Sequence, residues 1–183
     1  MSTPRGIKDV SPVARRWRLD CPKHPNANVS LGFGLKLPTG NYDARDSFRD
    51  MAGNRAARYL DISSQPRDGG VGLICNFQAF HQMNDSTLFA SGTYLANPRN
   101  ANGTPSLIVG LMSAGAPPGA RVSSGRDQYV LLGGVIVPIS AKRGLSQSLA
   151  GRLEGIRTDD LFGDSDGVRS AGYAVSIEPT ASP

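Results

Sequence analysis

Residues 29–40 (VSLGFGLKLPTG) alternate between apolar side chains and small or polar ones. Side chains of a β-strand point alternately to opposite faces of a sheet, so a two-residue period predicts a strand with two unlike faces. One face would be aliphatic and aromatic, and the other would carry Ser, Gly and Lys. The apolar positions are Val29, Leu31, Phe33, Leu35 and Leu37.

Similar segments recur along the chain, each bounded by Gly, Pro, Asn or Asp residues that favour turns. The pattern is less clear over residues 6–19. Helical periodicity is weak except over residues 47–59, which we interpret as either a short helix or a polar surface turn. The sequence therefore predicts about six or seven strands. The clear strands are residues 29–38, 70–80, 87–97, 129–140, 147–156 and 172–179.

The connections between these strands alternate in length. Short ones cover residues 21–28, 81–87 and 141–146, and long ones cover residues 41–68, 98–128 and 157–171. In an antiparallel up-and-down meander, this alternation places all short turns at one end of the sheet. Structureless loops of roughly 30 residues are uncommon in compact soluble domains, whereas outer-membrane β-barrels combine short periplasmic turns with longer outer loops. The predicted fold is thus all-β, an antiparallel meander forming part of an outer-membrane β-barrel.

Strand length and charge placement agree with such a barrel. About 11 residues at roughly 3.3 Å each, tilted by about 45°, cover roughly 25 Å, the height of its apolar band. A charge facing lipid at the bilayer midplane costs about 2–4 kcal/mol, so we expect charged strand residues to face the lumen. These residues either form interior salt bridges, the interpretation we favour, or select a permeant solute. The lumen-facing candidates are Lys36, Arg152, Glu154 and Glu178.

Several segments together resemble the outer-membrane β-barrel family described as meta-pathway phenol-degradation proteins, which are often labelled transporters. The resemblance spans nearly the whole chain and is most specific in LGFGLKLPTG and GRLEGIR. It implies a bacterial outer-membrane channel, porin-like, for uptake of hydrophobic or aromatic compounds. The segments are GIKDVS (6–11), CPKHPNANVSLGFGLKLPTGNYD (21–43), QPRDGGVG (65–72), NPR (97–99), DQYVLLGGV (127–135) and GRLEGIRTDDLFGDSDGVRSAGYAVSIEP (151–179).

The first segment departs from the family pattern. Members resemble GIGDVSLG followed by a long strand, whereas this chain reads GIKDVSPVARRWRLD, where Pro12, Arg15 and Arg16 interrupt a lipid-facing strand. Members also carry an export signal and further strands. The amino terminus here lacks the apolar stretch of a signal peptide. We therefore expect residues 1–183 to be a single β-barrel domain that is a truncated segment of a larger barrel.

Composition and charge limit the classes of partner that we expect this chain to bind. The sequence contains no run of about 18 apolar residues, so it predicts no membrane-spanning helix. The net charge of +5 would suggest nucleic acid, but the arginines are scattered apart from Arg15, Arg16 and Arg18, so no nucleic-acid partner is expected. The expected partners are the lipid bilayer of the outer membrane and a small hydrophobic or aromatic solute.

The sequence predicts no enzyme, cofactor or metal site. His24 and His81 are the only histidines; neither has an evident nucleophile and carboxylate partner, and both fall in predicted turns. Cys21 and Cys75 lack zinc-ligand spacing and are expected to be unpaired thiols. The acidic residues 159–167 lack the bidentate Glu of a calcium loop, so we interpret them as an outer loop.

A soluble secreted β-sandwich or jelly-roll binding module is the alternative, because it would use the same alternation to face a protein core. The two folds make opposite demands on the apolar side chains. In a sandwich these residues converge on one another, and in a barrel they diverge outward. The residues in question are Leu31, Phe33, Leu35, Leu131, Leu149 and Val175.

Overall fold

A computed structural model gives the fold, and its regular structure is almost entirely β. Ala141–Arg143 form one turn of 3-10 helix. The structure describes residues 8–40, 45–49, 53, 55–59, 70–98, 101–105, 122–162 and 171–182. The strands are β1 (Val13–Trp17), β2 (Ala27–Lys36), β3 (Arg45–Arg49), β4 (Arg55–Tyr59), β5 (Gly72–Met83), β6 (Ser86–Ala96), β7 (Ala101–Pro105), β8 (Val122–Ser124), β9 (Gln128–Ser140), β10 (Leu145–Ile156) and β11 (Gly172–Ser182).

Among the described residues, seven strands form one antiparallel sheet in the order β1-β2-β5-β6-β9-β10-β11. Apart from two small strand pairs, strands that are neighbours along the chain are neighbours in the sheet. The predicted antiparallel meander is therefore confirmed. Within this sheet β1 and β11 are the edge strands, and the sheet is not closed.

The six clear predicted strands correspond to β2, β5, β6, β9, β10 and β11, with bounds that differ by a few residues. The less clear segment, residues 6–19, yields only the five-residue strand β1. It begins directly after Pro12, which has no backbone N–H to donate, although the Pro12 carbonyl still accepts a hydrogen bond from the Leu35 N–H at 3.1 Å.

The connections alternate between short and long, as the sequence predicts. The tightest joins β5 to β6 through Asn84 and Asp85, and Asn84 has a φ of 51°, a left-handed conformation that Asn tolerates in hairpin turns. Because the strands are antiparallel and sequential, the short connections all lie at one end of the sheet and the long ones at the other. We call these the short-connection end and the long-connection end.

Two of the long connections contain strands of their own, which corrects the expectation that they lack structure. Where the structure describes residues 47–59, they are neither a helix nor a simple surface turn, because β3 and β4 form an antiparallel pair. Gly53, between them, has a φ of 84°, which suits a chain reversal and not a continuing helix. In the next long connection β7 pairs with β8.

The sheet encloses no dry apolar core in the described part of the chain. Its buried apolar residues are Ala96 and Ala150, and its buried polar residues are Asn28, Ser30, Lys36, Asn97 and Asp127. Large apolar side chains are exposed instead, so they do not converge as a β-sandwich requires. Exposed examples are Leu31, Phe33, Leu35, Leu131, Leu149 and Val175.

Candidate functional site

One side of the sheet, which we call the apolar face, is carried by every second residue of each strand. The strand register places Leu31 opposite Phe77, and the same row continues through Gly92 and Leu131 to Leu153. In the six strands β2, β5, β6, β9, β10 and β11, this face holds no Asp, Glu, Lys or Arg. Its side chains are most exposed on β11, with Tyr173 at 77%, Val175 at 69% and Ile177 at 74%.

An aromatic row crosses the apolar face near the long-connection end. Phe33, Tyr94, Tyr129 and Tyr173 share one level of the register, interrupted by Cys75 on β5 and Gly155 on β10. The Tyr129 ring lies over Gly155, since a Cβ at position 155 would lie 2.6 Å from the Tyr129 Oη atom. The glycine thus makes room for an aromatic side chain from the neighbouring strand.

The opposite side, which we call the mixed face, carries all four sequence-predicted residues. Three of them meet across β10 and β11. The Arg152 Nη2 atom lies 2.6 Å from Glu154 Oε2, and Arg152 Nη1 lies 3.5 Å from Glu178 Oε1. The structure therefore brings together one guanidinium and two carboxylates. Whether this face lines a lumen stays a prediction.

Lys36 lies away from these three residues. It is on β2, and β5, β6 and β9 separate it from β10. Its Nζ atom donates to Asn97 Oδ1 at 2.7 Å, and Lys36 is only 7% exposed. The four charged residues therefore form two separate sites, with Lys36 at the long-connection end.

A buried carboxylate lies next to this lysine contact. Asp127 Oδ1 accepts the Asn97 backbone N–H at 2.8 Å, and Asp127 Oδ2 accepts the Tyr94 hydroxyl at 2.6 Å and the Leu161 N–H at 2.9 Å. Asn97 and Asp127 are both fully buried. We call Tyr94, Asn97, Asp127 and Leu161 the Asp127 cluster. With Lys36 bonded to Asn97, the cluster joins the bases of all three long connections.

Sequence reasoning missed Asn97 and Asp127 as interacting residues. Both flank strands, where Asn and Asp are usually turn residues, so the alternation pattern gives them no specific role. The one sequence feature that could have drawn attention to them is that they lie in the NPR and DQYVLLGGV segments.

The prediction that both Arg15 and Arg16 interrupt a lipid-facing strand is correct for only one of these arginines. Arg15 is paired with Gly32, which puts it on the mixed face, where its Nε atom donates to Asn76 Oδ1 at 3.2 Å. Gly32 leaves the space for this contact, because a Cβ there would collide with Asn76 Oδ1. Arg15 therefore does not interrupt the apolar face. Arg16, paired with Leu31, does.

The mixed face is not uniformly polar. Trp17 on β1 and Phe80 on β5 make an edge-to-face contact on it, with ring centroids 5.8 Å apart. Aromatic pairs in this geometry attract each other. This face therefore combines the ionic and amide contacts with an aromatic pair.

The remaining candidates for chemistry are dispersed. Cys21 and Cys75 are exposed free thiols. His24 lies between β1 and β2, but His81 lies within β5 and not in a turn as predicted. Most of the acidic segment 159–167 lies outside the described residues. In the part of the chain that the structure covers, no group of three or more His, Cys, Asp or Glu residues could hold a metal ion.

Comparisons with protein families, with curated proteins and with solved structures found no match. Over the described ranges, no helix combines the length and the apolarity needed to cross a bilayer.

Proposed function

We propose that this chain forms part of the wall of a bacterial outer-membrane β-barrel, with its apolar face toward lipid and its mixed face toward the lumen. One observation carries the proposal. The six long strands present exposed apolar side chains on one face and collect the ionised groups Lys36, Arg152, Glu154 and Glu178 on the other. Large contiguous exposed apolar surfaces on a protein mark contact with a membrane or another apolar partner.

The strand lengths support the same assignment. The six long strands contain 10 to 13 residues, and a spanning strand needs about 9–11 residues at a tilt of about 45°. Tyr94, Tyr129 and Tyr173 lie within two residues of the long-connection ends of their strands. They would therefore lie toward one membrane interface, where barrels carry aromatic side chains.

Two arginines, Arg16 in β1 and Arg18 directly after it, lie on the apolar side of the sheet, and Arg16 is the one nearer mid-height. At mid-height it would cost about 2–4 kcal/mol if it faced hydrocarbon. It lies on the edge strand β1, where a protein segment packed on the apolar face can cover it. The proposal therefore requires contact between the outer side of β1 and protein, and not lipid.

For the role of such a barrel, we propose passage of a small hydrophobic or aromatic solute. This finer assignment is supported by the resemblance of LGFGLKLPTG and GRLEGIR to the phenol-degradation barrels. No contact in the described residues identifies a particular solute.

Arginine substitutions at two adjacent positions of β6 test the orientation of the faces. Ala90 is on the apolar face and Ser91 on the mixed face, both near the middle of the strand. Ala90→Arg should destabilise the bilayer-inserted chain by about 2–4 kcal/mol, whereas Ser91→Arg should change stability little. Urea unfolding of chains refolded into phospholipid vesicles measures the difference.

Two results would contradict the membrane assignment. One is equal behaviour of the two variants in vesicles. The other is a wild-type chain that remains monodisperse and unfolds cooperatively in buffer without detergent or lipid, as the β-sandwich alternative requires.

A further inference from the structure

A groove of about 650 Å³ opens on the apolar face below the long-connection end. Its walls come from the four adjacent strands β2, β5, β6 and β9. Volumes of about 300–1,000 Å³ are typical of small-ligand sites. The side chains that shape it include Phe33, Cys75, Phe77, Tyr94, Tyr129 and Leu131.

The groove exists because small residues interrupt rows of large ones. Cys75 lies between Phe33 and Tyr94 in the aromatic row, and its thiol is exposed. The nearby Gly92 is covered instead, because a Cβ there would collide with the Phe77 ring and would lie 2.7 Å from Leu131 Cδ2. Cys75 is therefore the open floor of the groove.

Among the described residues that line this groove, Arg157 is the one charged residue. It follows β10 at the long-connection end, and its backbone N–H donates to the Asp127 carbonyl at 3.2 Å. Its side-chain Nε atom donates to the Asp159 carbonyl at 3.1 Å. Among the described residues it forms no ion pair with a carboxylate. The guanidinium also contacts the Tyr94 hydroxyl. Because a guanidinium carries five N–H donors, these two contacts leave further N–H groups for an anion.

We propose that the groove binds one acyl chain of a membrane lipid whose anionic phosphate headgroup is bound by Arg157. The acyl chain would lie over Cys75, and the phosphate would lie at the level of the aromatic row. An apolar trough that ends at one guanidinium is complementary to an anionic amphiphile, because Arg donates paired hydrogen bonds to phosphate oxygens. This inference rests on the proposed function, since the apolar face must meet lipid.

Lipid retention tests the proposal directly. The full chain is folded into bilayers of phosphatidylcholine with a minor share of phosphatidylglycerol, extracted into mild detergent and examined by native mass spectrometry. We expect one retained phosphatidylglycerol per chain, preferred over phosphatidylcholine by about fivefold, as one arginine near an anionic headgroup would give. Dodecyl phosphate should displace the lipid, and inorganic phosphate at the same concentration should not.

Two variants separate the role of Cys75, which forms the floor of the groove, from the role of the Arg157 guanidinium. Cys75→Phe should abolish retention of both lipids by filling the groove. Arg157→Gln should remove the preference for phosphatidylglycerol and keep chain binding. Val175→Phe, on the same face but outside the groove, and Arg143→Gln, at the short-connection end, are matched controls that should behave as wild type.

Vesicle flotation, measured in parallel, distinguishes failure of this inference from failure of the proposed function. A wild-type chain that inserts but retains no phosphatidylglycerol would overturn the lipid site alone. So would unchanged retention by Cys75→Phe, or unchanged preference in Arg157→Gln. A chain that does not insert would overturn both.

Discussion

At Asp127, one buried carboxylate accepts three hydrogen bonds from two segments of the chain, the end of β6 and the start of the connection after β10. The donors are the Tyr94 hydroxyl and the backbone N–H groups of Asn97 and Leu161. Hydrogen bonds to a charged group stabilise more than neutral ones, and a buried donor left without its acceptor is costly. Asp127 therefore fixes the long connections to the end of the sheet.

Replacing this carboxylate should destabilise the folded chain. Asp127→Ala leaves the three donors without their acceptor, so we expect the free energy of unfolding to fall by about 2–3 kcal/mol. Urea unfolding of the chain refolded in vesicles measures the change. Asp159→Ala removes a nearby exposed carboxylate and should be close to neutral. A similar loss in both variants would show that the Asp127 contacts are not specifically stabilising.

Single residues were predictable where the two-residue period assigns a face. Lys36, Arg152, Glu154 and Glu178 share the mixed face because their positions within strands require it. The hydrogen-bond partners of these residues were harder to predict, since the contact of Lys36 with Asn97 depends on where two different strands end. Residues outside strands have no period, and so the role of Asp127 was not predictable.

Among the elements, long alternating strands were predicted closely and short ones were not. β2, with the sequence ANVSLGFGLK, alternates over its whole length, and its period agrees with the turn residues Pro38 and Gly40 that follow it. β7, with the sequence ANGTP, contains Asn, Gly and Pro, which are depleted in strands. Local pairing with β8 overrides that composition, and such pairing is not visible in either segment alone.

Two glycines of β10 allow a test of how neighbouring strands pack. A Cβ at Gly155 would lie 2.6 Å from Tyr129 Oη and 2.7 Å from the Gly172 carbonyl oxygen, whereas one at Gly151 would meet nothing within 4 Å. Gly155→Ala should therefore cost about 1–3 kcal/mol, because both the Tyr129 ring and the Gly172 backbone would have to move. Gly151→Ala, on the same face, should be neutral or stabilising by up to about 1 kcal/mol.

Thermal or urea unfolding of the two variants measures this difference. If Gly155→Ala were as stable as Gly151→Ala, the contact between the Tyr129 ring and β10 would be wrong.

At the scale of the whole molecule, the sheet is asymmetric in two directions. Its faces differ in polarity, and its ends differ because the long connections gather at one of them. The Asp127 cluster and the aromatic row both lie near that end. A sheet built this way has a defined orientation relative to any surface that it enters.

This asymmetry predicts one-sided labelling. With Cys21 and Cys75 replaced by Ser, Asp85→Cys reports on the short-connection end and Asp159→Cys on the long-connection end. In sealed vesicles with uniformly inserted chains, a membrane-impermeant maleimide should modify only one of the two until detergent is added. Modification of both in intact vesicles would contradict a spanning sheet.

The strand count of the sheet restricts how it can close. With seven strands that alternate in direction, β1 and β11 point the same way. Direct joining of these two edges would create a single parallel seam, with the slanted and evenly spaced hydrogen bonds of parallel pairing. A cylinder that is antiparallel all the way round must instead insert an odd number of additional strands between them. The parity of the sheet thus determines the direction in which any strand that meets β1 or β11 must run.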